Sequence, residues 1–428
     1  MNFVQCNLGA GVRLHMCETD KFKSLTCKMF IQQDLQTQTA TSTALIPFLV
    51  RRGSQEFPST LQIARELEYL YAADFSSDIL KIGERQILEF YFQMVDATLL
   101  PQGEQQLERG LRTFWDIATN PAGSSQAFVE DYFIQEKHSL KQELEGLMNE
   151  KRAYALNRAT ALMCAQEPFG IYKYGDLDTL GKLENSQVFE HFQSLWAHYP
   201  LDIFLVGTNL DVVANLFGQL VEKRAEIQKL KLPKRIQVVE PRFVEETTEM
   251  QQTILILGYR TNCSYLDEDY YPLLVGNGIL GGFPHSKLFM NVREKASLAY
   301  YVGSSIEGSK GLLTINAGIN GENQERTLQI IQEQLRAIQQ GDISGDELEQ
   351  TKRGLISAMT SMNDYPGGII DRNLMGIIHG EMRSIDQVIE AIRQVHKEDV
   401  VRAMEKVVLD TTYVLRAPRQ EGDSHGTN

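Results

Sequence analysis

The chain has 428 residues and a formal net charge of −14 at pH 7, from 42 basic and 56 acidic side chains. An acidic chain whose densest basic stretch is the short run 229–235 does not fit a nucleic-acid-binding protein, because such proteins present clustered lysine and arginine. Apolar residues make up 43% of the chain, as in ordinary globular proteins, and the length predicts two to four domains at about 100–200 residues each.

The cysteines and the apolar runs bear on the cellular compartment. The five cysteines are odd in number and form no C-x-x-C pair, which argues against a disulfide framework and favours a reducing compartment. Met1–Gln5 lacks the basic region of a secretory signal, and no window approaches 18 uncharged apolar residues. We therefore expect a cytoplasmic protein that does not span a membrane.

The first half of the chain predicts strands and helices in alternation. Val12, Leu14 and Met16 alternate with polar residues, which indicates a strand, and together with the run 24–32 they predict a hairpin. The apolar run 41–50 predicts a buried helix despite Pro47. Further elements are a helix at 61–70 capped by Ser59 or Thr60, strands at 74–82 and 86–95, a helical region at 125–165 broken near Gly146, a strand at 201–206 and a helix to about 224.

The second half repeats this order of elements. Strands are predicted at 252–259, 298–305, 311–319 and 412–416, and helices at 271–280, from about 285, at 322–340, at 345–362 and onward to 404. The final strands of the two halves begin at Leu201 and about Thr411, almost half the chain apart, which predicts an internal duplication. We divide the chain into residues 1–230, a linker at 231–244 and residues 245–428.

Common catalytic and binding motifs are absent from the sequence. The closest of eight histidines, His191 and His198, are seven residues apart, and no H-E-x-x-H or H-x-x-E-H occurs, so no metal site is predicted. There is neither a P-loop nor a G-x-S-x-G nucleophile turn. Residues 276–281 spell G-x-G-x-x-G inside an apolar helical stretch, which favours a helix-breaking turn over a phosphate site.

One stretch, residues 280–301, is the candidate functional region of the sequence. The turn Gly281-Gly282 leads into an amphipathic helix that ends in Arg293-Glu294-Lys295, and an aromatic strand containing Tyr300 follows. Taken alone, this spacing favours a solvated helix end followed by an ordinary strand.

The stretch closely resembles the signature in the C-terminal half of M16 metallopeptidases, the pitrilysin and mitochondrial-processing-peptidase-like family. That signature is a Gly-Gly turn, then S-x-L-F, then R-E-x-x-x-L-A-Y. Its matches here are Ser286, Leu288, Phe289, Arg293, Glu294, Leu298, Ala299 and Tyr300. Ser344–Lys352 and Asn363–Pro366 also agree with the family, and a weaker match lies at Arg52–Ser54. The resemblance implies an α+β fold of the M16, or LuxS-metallopeptidase-like, type, with two homologous halves that are each a largely antiparallel sheet packed against helices.

The sequence departs from this family at the zinc motif. The family's H-x-x-E-H lies nine residues before the glycine matched by Gly53, and the positions here are Ala44, Leu45, Ile46, Pro47 and Phe48. None of these side chains can ligate zinc or act as a general base. Glu143 or Glu145 matches the third ligand, but one carboxylate does not hold zinc. We therefore expect no metal or other cofactor in this chain and no peptidase activity from the chain alone.

The resemblance also offers a role for a chain without zinc. Some bacterial M16 enzymes are similar to two-chain clamps, in which one chain binds zinc and its partner supplies an Arg/Tyr pair seven residues apart. Arg293 and Tyr300 fit this spacing. The resemblance thus implies the Arg/Tyr-bearing subunit of a heteromeric zinc peptidase that processes peptides or small proteins, with Arg293 and Tyr300 catalytic, Gly281 and Gly282 binding substrate, and zinc in the partner subunit.

Other hypotheses stay open at this point. The chain is alternatively an inactive clamp that binds a peptide or protein as a scaffold, or an enzyme with unforeseen metal ligands. It is also open whether the chain forms a homodimer when its partner is missing.

Overall fold

The computed structural model describes residues 3–222, 224, 226–233, 236, 238 and 240–418, and the strands of this part form two separate sheets. Parts of the predicted linker 231–244 and of the basic run 229–235 lie outside the described residues. The strands are β1 (Val4–Gly9), β2 (Val12–Glu18), β3 (Ser24–Asp34), β4 (Asp74–Ile82), β5 (Arg85–Val95), β6 (Leu201–Gly207), β7 (Arg242–Thr247), β8 (Thr253–Arg260), β9 (Ala299–Glu307), β10 (Leu312–Ile319) and β11 (Val408–Arg416).

Helices cover much of the remaining chain. They are α1 (Thr37–Val50), α2 (Thr60–Tyr69), α3 (Gly103–Thr119), α4 (Glu130–Gly146), α5 (Lys151–Met163), α6 (Leu177–Lys182), α7 (Asn185–His198), α8 (Leu210–Leu220), α9 (Tyr270–Asn277), α10 (Gln324–Gln339), α11 (Gly345–Ser361), α12 (Pro366–His379), α13 (Ile385–Arg393) and α14 (Lys397–Glu405). Two π-helical segments lie at Gly278–Gly282 and Phe289–Lys295. No helix of the described part combines the length and the apolar character that a bilayer crossing requires.

The first sheet has the strand order β1-β2-β6-β3-β5-β4. The predicted hairpin between residues 12–17 and 24–32 is wrong, because β6 lies between those two strands and pairs parallel with β2 and antiparallel with β3. All seven residues of β6 are buried, so this strand takes the centre of the sheet. The hairpin partner of β2 is instead β1, which the sequence analysis missed.

The second sheet has the order β7-β11-β8-β10-β9. It matches five strands of the first sheet in order and in pairing sense, since β11 pairs parallel with β7 and antiparallel with β8, as β6 does with β2 and β3. The largely antiparallel α+β fold is therefore confirmed, with the same strand order in both sheets.

Each sheet belongs to a compact unit that takes one helical segment from the other half of the chain. The first unit comprises Met1–Gly146, Ile171–Leu232 and Met362–Ser384, and the second comprises Leu147–Gly170, Pro233–Ser361 and Ile385–Asn428. In the first unit, Ile370 and Leu374 of α12 pack on Phe30 and Phe204. In the second unit, Ala155 and Ala159 of α5 pack on the strand residues Ile254, Ile256 and Tyr413.

This exchange gives both sheets two covered faces. Along β2, for example, Val12 and Leu14 are buried on one side, and His15 and Cys17 are buried on the other. The two units are groups of segments that pack together, whereas the division into 1–230 and 245–428 concerns the repeated order of elements along the chain. That division therefore stays a prediction. Strand β7, which begins at Arg242, occupies the end of the segment predicted as linker.

Candidate functional site

The five positions that match the family's zinc motif lie on α1. Ala44, Leu45, Ile46 and Pro47 are buried in the first unit, and Phe48 is half-buried with the Arg51 guanidinium carbon 5.2 Å from its ring centroid. The carbonyl of Pro47 accepts a hydrogen bond from Ser77 Oγ at 2.9 Å. These apolar side chains offer no ligand atom, so the residues present do not fit a zinc ion.

Just before these positions, α1 carries a buried hydrogen-bond network. Thr43 Oγ1 donates to Thr39 O at 2.9 Å and accepts from Gln33 Nε2 at 2.6 Å. His191 Nε2 lies 2.8 Å from the same oxygen, and burial lowers the pKa of His191 to about 4. The ring is therefore neutral at pH 7 and donates Nε2–H to Thr43. This network holds α1 to β3 and α7, and the sequence alone did not reveal it.

The carboxylates of α4 do not assemble a metal site. Glu143 and Glu145, the two matches to the third ligand, are both exposed, and Glu145 lies 3.6 Å from Lys141. The carboxylate of α4 that is buried is Glu136, which pairs with Arg52 at 3.3 Å and has its pKa raised by burial. Among the residues that the structure describes, no group of three or more His, Cys, Asp or Glu is arranged to hold a metal ion.

Gly281 lies where the first π-helical segment meets the edge strand of the second sheet. A Cβ built on Gly281 would lie 2.7 Å from the backbone nitrogen of Ser304 on β9, which is too close for any other residue type. Ser304 Oγ in turn donates to Asn277 O at 3.3 Å. Gly282 is exposed, and the atom nearest to its built Cβ lies at 3.4 Å. Residues 276–281 of the G-x-G-x-x-G stay helical, since Gly276 and Asn277 end α9 and Gly278–Gly282 form the π-helical segment, so the helical stretch ends only after the Gly281-Gly282 pair.

This contact makes a testable prediction about stability. Gly281→Ala is expected to lower the free energy of unfolding by about 1–3 kcal/mol, because the methyl group forces β9 and the helix end apart. Gly282→Ala, one residue away, serves as the matched control and should behave as the parent chain. Thermal unfolding followed by circular dichroism measures both. An unchanged midpoint for Gly281→Ala would show that this approach is not tight.

Arg293 lies on the second π-helical segment and is exposed, with its guanidinium carbon 4.8 Å from the ring centroid of Phe289. The segment ends in a reversal at Ser297, whose φ of 51° is left-handed. Ser297 N donates to Arg293 O at 3.1 Å, and Leu298 N donates to Val292 O at 3.0 Å. These bonds connect the Arg293 turn directly to the start of β9. Wide π-helical turns often occur at functional sites.

Tyr300 lies on β9, at the edge of the second sheet, and 59% of it is exposed. Ala299 pairs with Ile319 and Tyr301 pairs with Gly318, so Tyr300 is the extra residue of a β-bulge. A bulge on an edge strand redirects a side chain away from the sheet. The sequence predicted the strand but not the bulge. The available sign of the bulge was Gly318, because the Tyr301 ring lies over this glycine and leaves no room for a side chain there.

A helix from the first half of the chain contacts β9 at Tyr301, the residue next to the bulge. Arg152 of α5 stacks its guanidinium carbon 4.5 Å from the Tyr301 ring centroid and donates to Asn316 Oδ1 at 2.9 Å. No local sequence pattern indicated this contact. The contacts of Arg152 hold β9 next to the bulge, and Tyr300 is exposed at the start of this strand.

Arg293 and Tyr300 are exposed groups on connected elements, and both carry hydrogen-bond donors. A guanidinium offers N–H groups only, and a phenol offers O–H to a carbonyl oxygen. Arg293 and Tyr300 are therefore suited to bind carbonyl or carboxylate oxygens, and the outer edge of β9, which has no strand neighbour among the described residues, adds backbone groups. The structure brings Gly281 against β9 and ties the Arg293 turn to the same strand, whereas the catalytic and substrate-binding roles of these residues stay predictions.

Comparison with known proteins identifies the family. The family model described as the Peptidase M16 inactive domain matches residues 201–355. The chain is 33% identical over 411 residues to the probable inactive metalloprotease YmfF of Bacillus subtilis, covering 95% of this chain and 96% of that protein. This protein thus belongs to the M16 peptidase family and is similar to its inactive members, so the family prediction is confirmed.

Two further relatives extend the comparison. A crystal structure of a conserved protein from Enterococcus faecalis superposes with a TM-score of 0.92 at 28% identity, covering 98% of this chain and 100% of that one. The antilisterial bacteriocin subtilosin biosynthesis protein AlbE of Bacillus subtilis is 23% identical over 314 residues, covering 72% of this chain and 77% of that protein.

Proposed function

We propose that this chain is the subunit of a heteromeric M16 peptidase that binds no zinc and supplies Arg293 and Tyr300 to the substrate. The observation that carries the proposal is a contrast between the two units. The motif positions Ala44–Phe48 are filled with apolar side chains, whereas Arg293 and Tyr300 are exposed on connected elements. A purely structural remnant has no need to expose both donors.

The chemistry of peptide hydrolysis fits these two groups. Attack on a peptide carbonyl builds negative charge on its oxygen, and the Tyr300 hydroxyl is able to donate a hydrogen bond to that oxygen. The Arg293 guanidinium binds a substrate carbonyl nearby and sets the register of the peptide. Zinc, held by the partner subunit, would supply the activated water.

The edge of the second sheet supports a peptide as the ligand. In the described chain β9 has a strand neighbour only at β10, so its outer N–H and C=O groups are available to an extended peptide. The relative AlbE is named for bacteriocin biosynthesis, which is consistent with a peptide substrate. We place this assembly in the cytoplasm, where the five cysteine thiols stay reduced.

The test is to mix the purified chain with a zinc-bearing M16 peptidase from the same organism and to measure cleavage of a quenched fluorescent peptide. The chain is expected to raise kcat/KM of the partner. Tyr300→Phe should reduce that gain by roughly 100-fold or more, as the loss of an oxyanion donor does. Arg293→Ala should act mainly through KM, because it positions the backbone.

Two matched controls keep this test specific. Tyr69→Phe removes the hydroxyl of a tyrosine that is 57% exposed on α2, and Lys295→Ala removes a neighbouring positive charge. Both should leave the gain intact. The proposal fails if the chain does not change the partner's activity, or if Tyr300→Phe and Arg293→Ala behave as these controls do.

The alternative function is a scaffold that binds a peptide or protein without contributing to catalysis. If the chain is a scaffold, the isolated chain binds a peptide, as measured by fluorescence anisotropy, and Tyr300→Phe does not change the partner's rate of cleavage. Analytical ultracentrifugation of the chain alone and with the partner distinguishes a homodimer from a heteromer in the same samples.

A further inference from the structure

A cavity of about 430 Å³ lies in the first unit, between the ends of α3 and α7 and the segment that follows α8. Its size is within the range of about 300–1,000 Å³ that is typical of small-molecule sites. Three aromatic residues line it, Trp115, Phe192 and Trp196. The ring centroids of Trp115 and Trp196 lie 5.7 Å apart, edge to face, which gives the cavity rigid aromatic walls.

The same cavity is lined by a cationic side chain that has no ion-pair partner in the described part of the chain. Arg224 donates from Nε to Ala197 O at 3.3 Å and from Nη2 to Tyr199 O, both backbone carbonyls. Its Nη1 is buried and has no hydrogen-bond partner among the described residues. Burial lowers the pKa of Arg224 to about 10, so the guanidinium is still charged at neutral pH. Buried charges are normally paired.

A second donor in the cavity wall also has no acceptor. Trp196 Nε1 is buried without a hydrogen-bond partner in the described residues, although the N–H of a buried tryptophan usually has one. Both groups are donors only, so what the cavity lacks is an acceptor with negative charge. Glu222 lines the cavity as well and is exposed, and its carboxylate disfavours a ligand with a second negative charge.

We propose that this cavity binds a small aromatic monocarboxylate, with the carboxylate paired to Arg224 and the ring packed against Trp115, Phe192 and Trp196. A guanidinium matches the geometry of a carboxylate, and aromatic walls favour an aromatic body. The site is built within one unit and does not depend on Arg293, Tyr300 or the proposed peptidase partner.

The chain contains its own reporter for this site. Its two tryptophans, Trp115 and Trp196, both line the cavity, so intrinsic tryptophan fluorescence reports on this site alone. Titration of the full chain with phenylacetate is expected to change the emission saturably, with a Kd below ~1 mM. Phenylacetamide, which has the ring without the charge, and acetate, which has the charge without the ring, should both bind at least ~10-fold more weakly.

An aromatic carboxylate is supplied either by a free acid such as phenylacetate or by the C-terminal residue of a peptide. The tripeptide Ala-Ala-Phe tests the second source. It is compared with its amidated form in the same titration. Binding by the tripeptide that is lost on amidation assigns the site to peptide ends, whereas binding by phenylacetate alone assigns it to free acids. Both outcomes support an aromatic carboxylate as the ligand.

Variants assign the charge contact. Arg224→Gln should weaken phenylacetate binding by about 10- to 100-fold and leave phenylacetamide binding unchanged, because a charge-assisted hydrogen bond is lost. Arg112→Gln on α3, which removes an exposed arginine paired with Glu108 at 2.9 Å, is the matched control. Circular dichroism confirms folding, and Trp196→Phe, with Trp115 as the remaining reporter, gives a second variant that should also bind more weakly.

Three outcomes would overturn the proposal. The first is emission that stays unchanged up to ~10 mM of phenylacetate and up to ~10 mM of Ala-Ala-Phe. The second is equal affinity for phenylacetate and phenylacetamide, which needs no variant at all. The third is an Arg224→Gln chain that is folded and binds phenylacetate as tightly as the Arg112→Gln control.

Discussion

Residues 1–232, produced without the rest of the chain, are expected to form an aggregation-prone, loosely packed state. The reason is that the first unit obtains α12 from residues 362–384. Without α12, Phe30 and Phe204 lose the cover of Ile370 and Leu374. Burial of each such side chain stabilises by roughly 1.5–3 kcal/mol, so the loss is comparable with the whole stability of a domain.

Dye binding and near-ultraviolet circular dichroism measure this effect. The fragment 1–232 should bind the dye ANS and show weak near-ultraviolet circular dichroism, as expected of a state with exposed apolar surface. A chain in which 1–232 is joined to 362–384 by a flexible linker is the matched control and should bind less dye, since α5 is uncovered in both chains and only α12 differs. Cooperative unfolding and no dye binding by 1–232 alone would contradict the role assigned to α12.

Asp202→Asn is expected to destabilise the first unit by about 3–5 kcal/mol, because it leaves a partly buried arginine without its counter-charge. Asp202 is fully buried in the apolar strand β6. Its carboxylate accepts hydrogen bonds from Arg13 Nε and Nη2 at 2.7 and 2.8 Å, and from Gln32 Nε2 at 2.8 Å. His15 Nε2 lies 2.9 Å away. One negative charge on β6 therefore organises side chains from the two neighbouring strands, β2 and β3.

The same substitution predicts a pH dependence. Burial alone would raise the pKa of Asp202, but hydrogen bonds from His15 and Arg13 outweigh it and hold the pKa below its usual value. A lowered folded-state pKa stabilises the protein above the unfolded value of about 3.9, and this stabilisation is lost as the pH falls through the folded value. The difference in Tm between the parent chain and Asp202→Asn should be constant from about pH 6 to 8 and shrink below about pH 4.

Thermal unfolding across this pH range is the measurement. Asp211→Asn, an exposed acidic residue on α8, is the control for a general change in net charge. If the two variants melt alike at pH 7, the buried carboxylate does not organise the strands as described.

Several elements were predictable because their signals are local. The buried strand β6, the Ser59 cap of α2 and the breaks around Gly146 and Gly281 follow from apolar runs, capping chemistry and glycine. The absence of zinc ligands at Ala44–Phe48 was visible for the same reason. Each of these features depends on residues that are close together in the sequence.

The errors arose where the structure depends on distant segments. The hairpin prediction failed because β6, almost two hundred residues later, pairs with both of its strands. The bulge at Tyr300 depends on how Tyr301 packs on Gly318 and Arg152. The exchange of α5 and α12 was invisible because an apolar helix face does not reveal which sheet it covers. The unpaired donors of the Arg224 cavity also need coordinates to be seen.

The exchanged helix α12 has a consequence for synthesis of the chain on the ribosome. All six strands of the first sheet are translated by Gly207, but the residues that cover Phe30 and Phe204 follow only at Pro366–His379. At synthesis rates of about 5–20 residues per second, this apolar face stays uncovered for on the order of ten seconds. We therefore expect the nascent chain to be a client for chaperones during that interval, and slow codons between the two segments to lengthen it.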